Sequence, residues 1–488
     1  MPSSLAQEES APPQTKAEQQ LSTKGVTTII TVLALSAFLM ILNETVLSVA
    51  LPNLMAEFNV NAVSVQWLTT GFLLTMAIVI PTTGFLIQRF TTRSLFTVAV
   101  SLFLVGTFVA AIAPNVGVIL VGRIIQASGT AIVLPLLMVT TLTLVAPARR
   151  GAVMGLNSVV ISVAPAIGPT LSGLVVEAWG WRWIFGALVP LAAILLIAGF
   201  VALKHKTPTR RAPLDILSVI VSAIGFGGLV YALASISEII HGSIAPLIAF
   251  VVGLAALAIF VKRQIALNRD NGATLLNLMP FTRHNFRLSV ALLMIAMGTM
   301  LGTVMILPIY LQNGRDISVL ETGLMLLPGG LIQGIASPFV GRIFDKVGAL
   351  PLVLPGSILL AGSMWWQTTL SADTPLRLVI AMNVVFCLGL ALLMTPLMTT
   401  ALGDLPRNMY GHGSAILNTL QQLAGAAGTA AFVAALSIGS ATAAMRGSSD
   451  ADSVIAGAHA TFTFGGILAT LAIVLAFFIK KAAPAEKH

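Results

Sequence analysis

Long apolar runs, each close to the thickness of a bilayer and separated by short polar stretches, dominate the pattern of this chain. A helix needs roughly 20 mostly apolar residues to cross the hydrocarbon of a membrane. Measured with that length, the runs predict spans at 27–51, 67–88, 94–113, 117–144, 151–175, 183–203, 215–235, 244–262, 287–312, 322–342, 350–370, 376–402, 412–437 and 459–480. The expected fold class is an all-α polytopic membrane protein with fourteen transmembrane helices. Composition supports this: 57% of residues are hydrophobic and 9% charged, with a mean hydropathy of +0.97. No ordinary soluble domain has these values. The first 25 residues are polar, without a short apolar core or cleavage site, and read as a disordered tail and not as a signal peptide.

Charge placement gives the orientation. With fourteen crossings, 21 of the 26 Lys and Arg fall on one side and four on the other, with Arg123 left inside a span. Cationic loops stay on the cytoplasmic side, so both termini are expected there, in a bacterial inner membrane. The net charge of +9 then reflects topology and attraction to anionic lipid, and nucleic acid is not an expected partner. The single cysteine, Cys387, lies in an apolar span and the six histidines are scattered, so no disulfide and no metal cluster are expected. The chain lacks a Gly-rich loop ending in Gly-Lys-Ser/Thr, which argues against ATP as energy source. No cofactor and no enzymatic chemistry are expected.

The chain also repeats itself. "VLSVALPNLM" aligns with "TVMILPIYLQ" (Pro52 on Pro308), "GFLIQRF" with "GRIFDKV" (Gly84 on Gly341), "VLPLLMVTT" with "LMTPLMTTA" (Pro135 on Pro396) and "GLNSVV" with "ILNTLQ" (Asn157 on Asn418). The four matches run in order at nearly one offset, the mark of two homologous halves. The predicted organisation is a tail at 1–26, a six-helix bundle at 27–205, an inserted two-helix segment with cytoplasmic linkers at 206–286, a second six-helix bundle at 287–480 and a tail at 481–488.

Two six-span halves resemble the layout of the major facilitator superfamily, and several motifs resemble its fourteen-span drug:proton antiporters. "LNETVLSVALP" is similar to their first-span signature and "GFLIQRFTTRSLF" to their Gly-rich basic loop. "GRIIQASGTAIVLPL" is similar to their fourth-span Arg motif, "APAIGPTLSG" to their fifth-span antiporter motif and "WGWRWIF" to the segment entering span 6. Within that branch the likeness is greatest to the lincomycin-resistance type of multidrug exporter. The resemblance implies two bundles rocking about a central site, driven by protons and exporting drug-like compounds.

Two charges lie within spans. Glu44 is eight residues before Pro52, about 12 Å along a helix, which places it near the midplane. A carboxylate there is costly unless it faces the bundle interior or a wet cavity, so Glu44 is a candidate proton carrier; the alternative is a structural hydrogen bond to Asn43 or a neighbouring helix. The family carries Asp where Asn43 stands, which moves the acid by one place. Arg123 cannot lose its charge and needs acceptors, with Gln126 one turn away; it is a candidate for proton coupling, by shifting nearby acids or ordering water for proton transfer, and the alternative is a guanidinium snorkelling to the surface.

The remaining motifs concern conformational change. Pro165 and Pro169 each remove a backbone hydrogen bond, and Ala164, Gly168, Ser172 and Gly173 form a small-residue ridge. In the family this marks exporters and is read as a tight contact with the opposite half. Gly84 permits a tight turn, while Arg89 and Arg93 meet the positive-inside rule. The resemblance adds a charge latch, for which Gln88 replaces the family's Asp and Asp345, beside Arg342 and Lys346, keeps it in the second half. Gln126, Asn157, Asn418, Gln421, Gln422, Trp67 and Met138 are candidates for a permissive central pocket, with Met294 and Met305 as adaptable apolar surface; such positions are more often simple packing. Asp215 reads as a helix cap.

The expected function is proton-coupled efflux of hydrophobic or amphipathic compounds, possible examples being lincosamides and lipophilic cations, by a monomer whose partners are drug-like molecules, protons and the lipid bilayer. A proton symporter of a small metabolite and a non-transporting membrane sensor are the alternatives.

Overall fold

In lipid every backbone N–H and C=O must be satisfied within the chain, so an apolar run of this length resolves into helix. The computed structural model describes residues 23–60, 62–203, 215–240, 242–269 and 274–480. The expected N-terminal tail up to residue 22, most of the first linker (204–214) and the C-terminal tail (481–488) lie outside the described residues. So does the side chain of Pro169.

Sixteen α-helices and no strand occur among the described residues: α1 (Thr23–Phe58), α2 (Ala62–Arg89), α3 (Thr92–Ala111), α4 (Val116–Leu144), α5 (Arg150–Trp179), α6 (Arg182–Gly186), α7 (Leu188–Ala202), α8 (Ile216–Ala234), α9 (Ile236–Ile240), α10 (Ile244–Arg269), α11 (His284–Ile309), α12 (Val319–Val347), α13 (Leu350–Gln367), α14 (Leu376–Gly403), α15 (Tyr410–Met445) and α16 (Asp450–Ala476). Twelve segments of the described residues are long and apolar enough to cross a membrane, α6 and α7 counting together as one. The two remaining predicted spans coincide with α5 and α13. Side-chain caps set several boundaries: Asn115 accepts the Val118 N–H at the start of α4, and Ser318 and Glu321 form a reciprocal capping box on α12. Asp215 caps α8 through the Ser218 N–H.

Helices α1 to α7 pack mainly on one another, as do α11 to α16. The two groups meet along α5 with α12 and α2 with α15. Both seams depend on glycine. A Cβ on Gly341 of α12 would press into the Gly151 backbone of α5, and one on Gly84 of α2 would lie 3.0 Å from the His412 ring of α15. The residues paired by the internal repeat fall on α1 and α11, α2 and α12, α4 and α14, and α5 and α15. Helices α8 and α10 pair with each other, and α8 lies along both α2 and α15.

Candidate functional site

The asparagine of the sequence "LNE" belongs to a polar cluster inside the first group of helices. Asn43 on α1 and Arg123 and Gln126 on α4 are all fully buried. One residue of helix turns the side chain by about 100°, so Glu44 points elsewhere and remains partly exposed. Arg123 lies where its charge acts on Glu44, but the two are not in contact: among the described residues, ion pairs join only Arg182 to Glu57 and Arg263 to Asp215.

Arg123 is held by backbone and ring. Its Nε donates to the Leu68 carbonyl at 3.3 Å and its Nη1 to the Asn43 carbonyl at 3.1 Å. Its guanidinium lies 4.1 Å from the centroid of the Phe72 ring, within cation–π range. Gln126 links the rest: its Oε1 accepts from Asn43 Nδ2 at 3.2 Å and its Nε2 donates to Thr107 Oγ1 at 2.8 Å. Thr107 in turn donates to the Phe103 carbonyl at 2.6 Å. Asn43 Oδ1 and Arg123 Nη2 have no hydrogen-bond partner. With an exposure of 0%, Arg123 is not the snorkelling side chain of the alternative reading. Sequence reasoning found three members of this cluster and missed Leu68, Phe72 and Thr107. A backbone carbonyl leaves no sequence signal, and a Phe or Thr in an apolar span is unremarkable.

A second group lies between the two halves. Met138 (α4), Met154, Asn157 and Ser158 (α5) and Met398 (α14) line a small cavity. Asn157 Nδ2 donates to Thr141 Oγ1 at 3.0 Å, while its Oδ1 is buried without a partner. Thr395 Oγ1 donates to Ser158 Oγ at 2.8 Å across the halves. Asn418 Nδ2 reaches the Met138 sulfur at 3.6 Å and Gln422 Nε2 the Met76 sulfur at 3.6 Å. Asn157, Asn418, Gln422 and Met138 thus converge on the boundary between the halves, and Gln421 is buried nearby on α15. Trp67 does not join them: it is 39% exposed and stacks on Tyr231 of α8, with centroids 5.8 Å apart. Met305 is exposed on α11 and Met294 partly buried.

The motif positions divide between the seams. Asp345 on α12 accepts the Gly151 N–H at 2.7 Å and the Ala152 N–H at 2.9 Å, at the start of α5. A carboxylate there meets free helix donors and the positive end of the helix dipole. At the equivalent place Gln88 donates to the Asn408 carbonyl at 3.3 Å, just before α15. Arg150 Nη1 donates to Tyr410 Oη at 3.2 Å, another bond between halves. Arg89 lies over the Phe85 ring and Arg93 over the Phe200 ring.

The fifth-span ridge faces otherwise than the resemblance implies. Gly168, between the buried Ala164 and Ser172, meets Thr45 of α1 in its own half, and nothing lies within 4 Å of a Cβ on Gly173. The opposite half is met by the earlier stretch of α5, where Gly151 and Gly155 touch α12 and Gly334 of α12 meets Val163. Pro165 is partly buried within an unbroken helix. Positions 151, 155 and 163 lie within an arc of about 120° on α5, and one residue further, about 100°, places 164 and 168 beyond its edge, toward α1.

Comparison with known proteins adds the lineage. The family model of the Major Facilitator Superfamily matches residues 33–429. The lincomycin resistance protein LmrB of Bacillus subtilis (strain 168) is 39% identical over 474 residues, covering 96% of this chain and 98% of that protein. An uncharacterized MFS-type transporter of the same bacterium, YcnB, is 41% identical over 475 residues, covering 97% and 99%. The solved structure of the proton:xylose symporter XylE shares the fold, with a TM-score of 0.64 at 16% identity, covering 94% of this chain and 96% of that one. Matched over most of its length by the family model and about two-fifths identical, nearly end to end, to an MFS-type transporter and a lincomycin resistance protein, this chain belongs to the major facilitator superfamily, as a multi-pass membrane transport protein and not an enzyme.

Proposed function

We propose that this transporter exports hydrophobic or amphipathic compounds, lincosamides and lipophilic cations among them, across a bacterial inner membrane in exchange for protons. The observation that carries the reading is the pairing of a partly exposed acid, Glu44, with a fully buried and permanently charged Arg123 in spans that are otherwise apolar. Such a pair is expensive in lipid and marks ion pathways. Similarity to LmrB supplies the drug class. Glu44 takes a proton from outside and releases it towards the cytoplasm, and substrate competes with the proton.

The cationic end carrying Arg89, Arg149 and Arg407 is the cytoplasmic one, as are both termini. The seams at Gly84 and Gly341 lie at that end, so closing them opens the central site outward. The Asn157, Ser158 and Met138 group at the boundary of the halves contributes to the drug path, with thioether side chains as adaptable apolar surface. One copy of the chain suffices for the cycle.

The test is efflux of a lincosamide and of a lipophilic cationic dye from cells expressing wild type, Glu44→Gln or Glu44→Asp, with and without a protonophore. Loss of export in Glu44→Gln with partial retention in Glu44→Asp is expected. Normal, protonophore-sensitive export by Glu44→Gln would remove Glu44 as the coupling acid.

A further inference from the structure

Helix α8 touches both sides of a seam that has to open. It packs along α2 and along α15, more extensively along α2. If α2 and α15 separate at the Gly84–His412 contact during transport, α8 can stay with only one of them. Contact area alone favours α2, but those contacts are of a kind that slides. At Gly227 of α8 even an added Cβ would meet Leu74 and Ile78 of α2 only at ordinary van der Waals distance, and Trp67 stacks on Tyr231.

The directional bonds of the inserted pair run the other way. Arg263 of α10 donates to both carboxylate oxygens of Asp215 at 2.9 Å, which ties α10 to α8. Gln264, fully buried, donates to Ser218 Oγ at 2.7 Å and accepts the Leu276 N–H at 3.1 Å. The next amide, Asn277 N–H, is accepted by His412 Nδ1 of α15 at 3.3 Å. A continuous chain of bonds thus leads from α8 through α10 and the segment 274–283 to the end of α15 that closes on Gly84. The apolar side chains are less selective: Phe226, Phe260, Leu275 and Leu276 belong to the core that runs through α11 to α16, which also takes in Ala77 and Phe85 of α2, so the directional bonds and not the apolar contacts decide the partner. Hydrogen bonds between buried groups fix distance and angle, and breaking one leaves a desolvated donor or acceptor. An apolar face can shift along its neighbour without such a loss.

We propose that the inserted pair is strapped to the C-terminal bundle and travels with it, that His412 is the positioning residue anchoring the strap, and that the α2–α8 contact is the one that slides when the seam opens. This rests on the transport reading above.

The test uses the full-length protein in lipid nanodiscs with Cys387→Ala and spin labels on exposed sites: Phe90 at the end of α2, Ile265 on α10, Arg287 on α11 and Arg407 before α15. Distances are compared at acid and alkaline pH, with and without tetraphenylphosphonium. The Phe90–Arg407 pair reports the seam itself. The expected result is that Phe90–Arg407 and Phe90–Ile265 change together while Ile265–Arg287 stays fixed. A change in Ile265–Arg287 with Phe90–Ile265 constant would overturn the strap but leave the transport reading standing. An unchanged Phe90–Arg407 distance in every condition would overturn both. On the same background His412→Leu should broaden the Ile265–Arg287 distribution, and His412→Gln, whose amide oxygen can accept the Asn277 N–H, should restore it. An unbroadened distribution in His412→Leu would remove His412 as the anchor.

Discussion

Asn43 and Glu44 are neighbours in sequence with opposite environments. The neutral amide occupies the fully buried position, where its Nδ2 donates to Gln126 and its carbonyl accepts from Arg123; the acid occupies the accessible one. This division fits the cost of burying charge, which a neutral group escapes. It also makes Gln126 a specific target. Gln126→Leu should leave the Asn43 amide a buried donor without an acceptor, at about 1–3 kcal/mol, seen as a lower unfolding temperature of the purified protein than for Gln126→Glu. Arg123→Lys keeps a positive charge but loses the planar group that reaches two carbonyls and lies on the Phe72 ring. Export should fall more than about tenfold, or ~1.4 kcal/mol and above, with normal amounts of protein in the membrane. Unchanged export in Arg123→Lys would reduce the residue to a point charge.

Helix ends are where elements are joined. Asp345 caps α5 from the other half, so its bonds exist only while that seam is closed. Asp345→Ala should cost the closed form about 0.5–2 kcal/mol, and Asp345→Asn should recover most of it; faster alkylation of a cysteine at Met398 from the cytoplasmic face reports the change. At α8, Asp215 is held at about 2, against 3.8 for the free group, chiefly by the Arg263 hydrogen bond. A depressed acid contributes stability that is complete above the unfolded value and fades as pH falls through the folded one. Wild type should therefore lose unfolding temperature between pH 3.8 and about 2 more steeply than Asp215→Asn, which should be less stable at neutral pH. Parallel curves would show that the pair contributes nothing.

At the scale of the whole molecule, glycine seams permit two halves to close backbone to backbone. Gly341→Ala places a methyl group against Gly151, and the backbone behind it cannot turn away. The variant should fail to close that end, with export lost and a cysteine at Met398 permanently accessible from the cytoplasmic side. Export at the wild-type rate would mean that the seam need not close to this degree.

Membrane class and the all-helical fold followed from the sequence alone. The reason is that lipid is an undemanding partner: it imposes one condition, apolar length with satisfied backbone, and that condition is local. Facing directions were another matter. A small-residue ridge in α5 reads the same whether it meets α1 or α12, and only the packed helix shows that Gly151 and Gly155 serve the seam while Gly168 serves Thr45. In sequence Trp67 reads as pocket lining or as packing, and only the stack on Tyr231 of α8 decides for packing. The carbonyls that hold Arg123 and the backbone amides that tie the inserted pair to Gln264 and His412 carry no signature, because every residue has them. Which of them meet is decided by helices far apart in the chain coming together, and that only the tertiary structure contains.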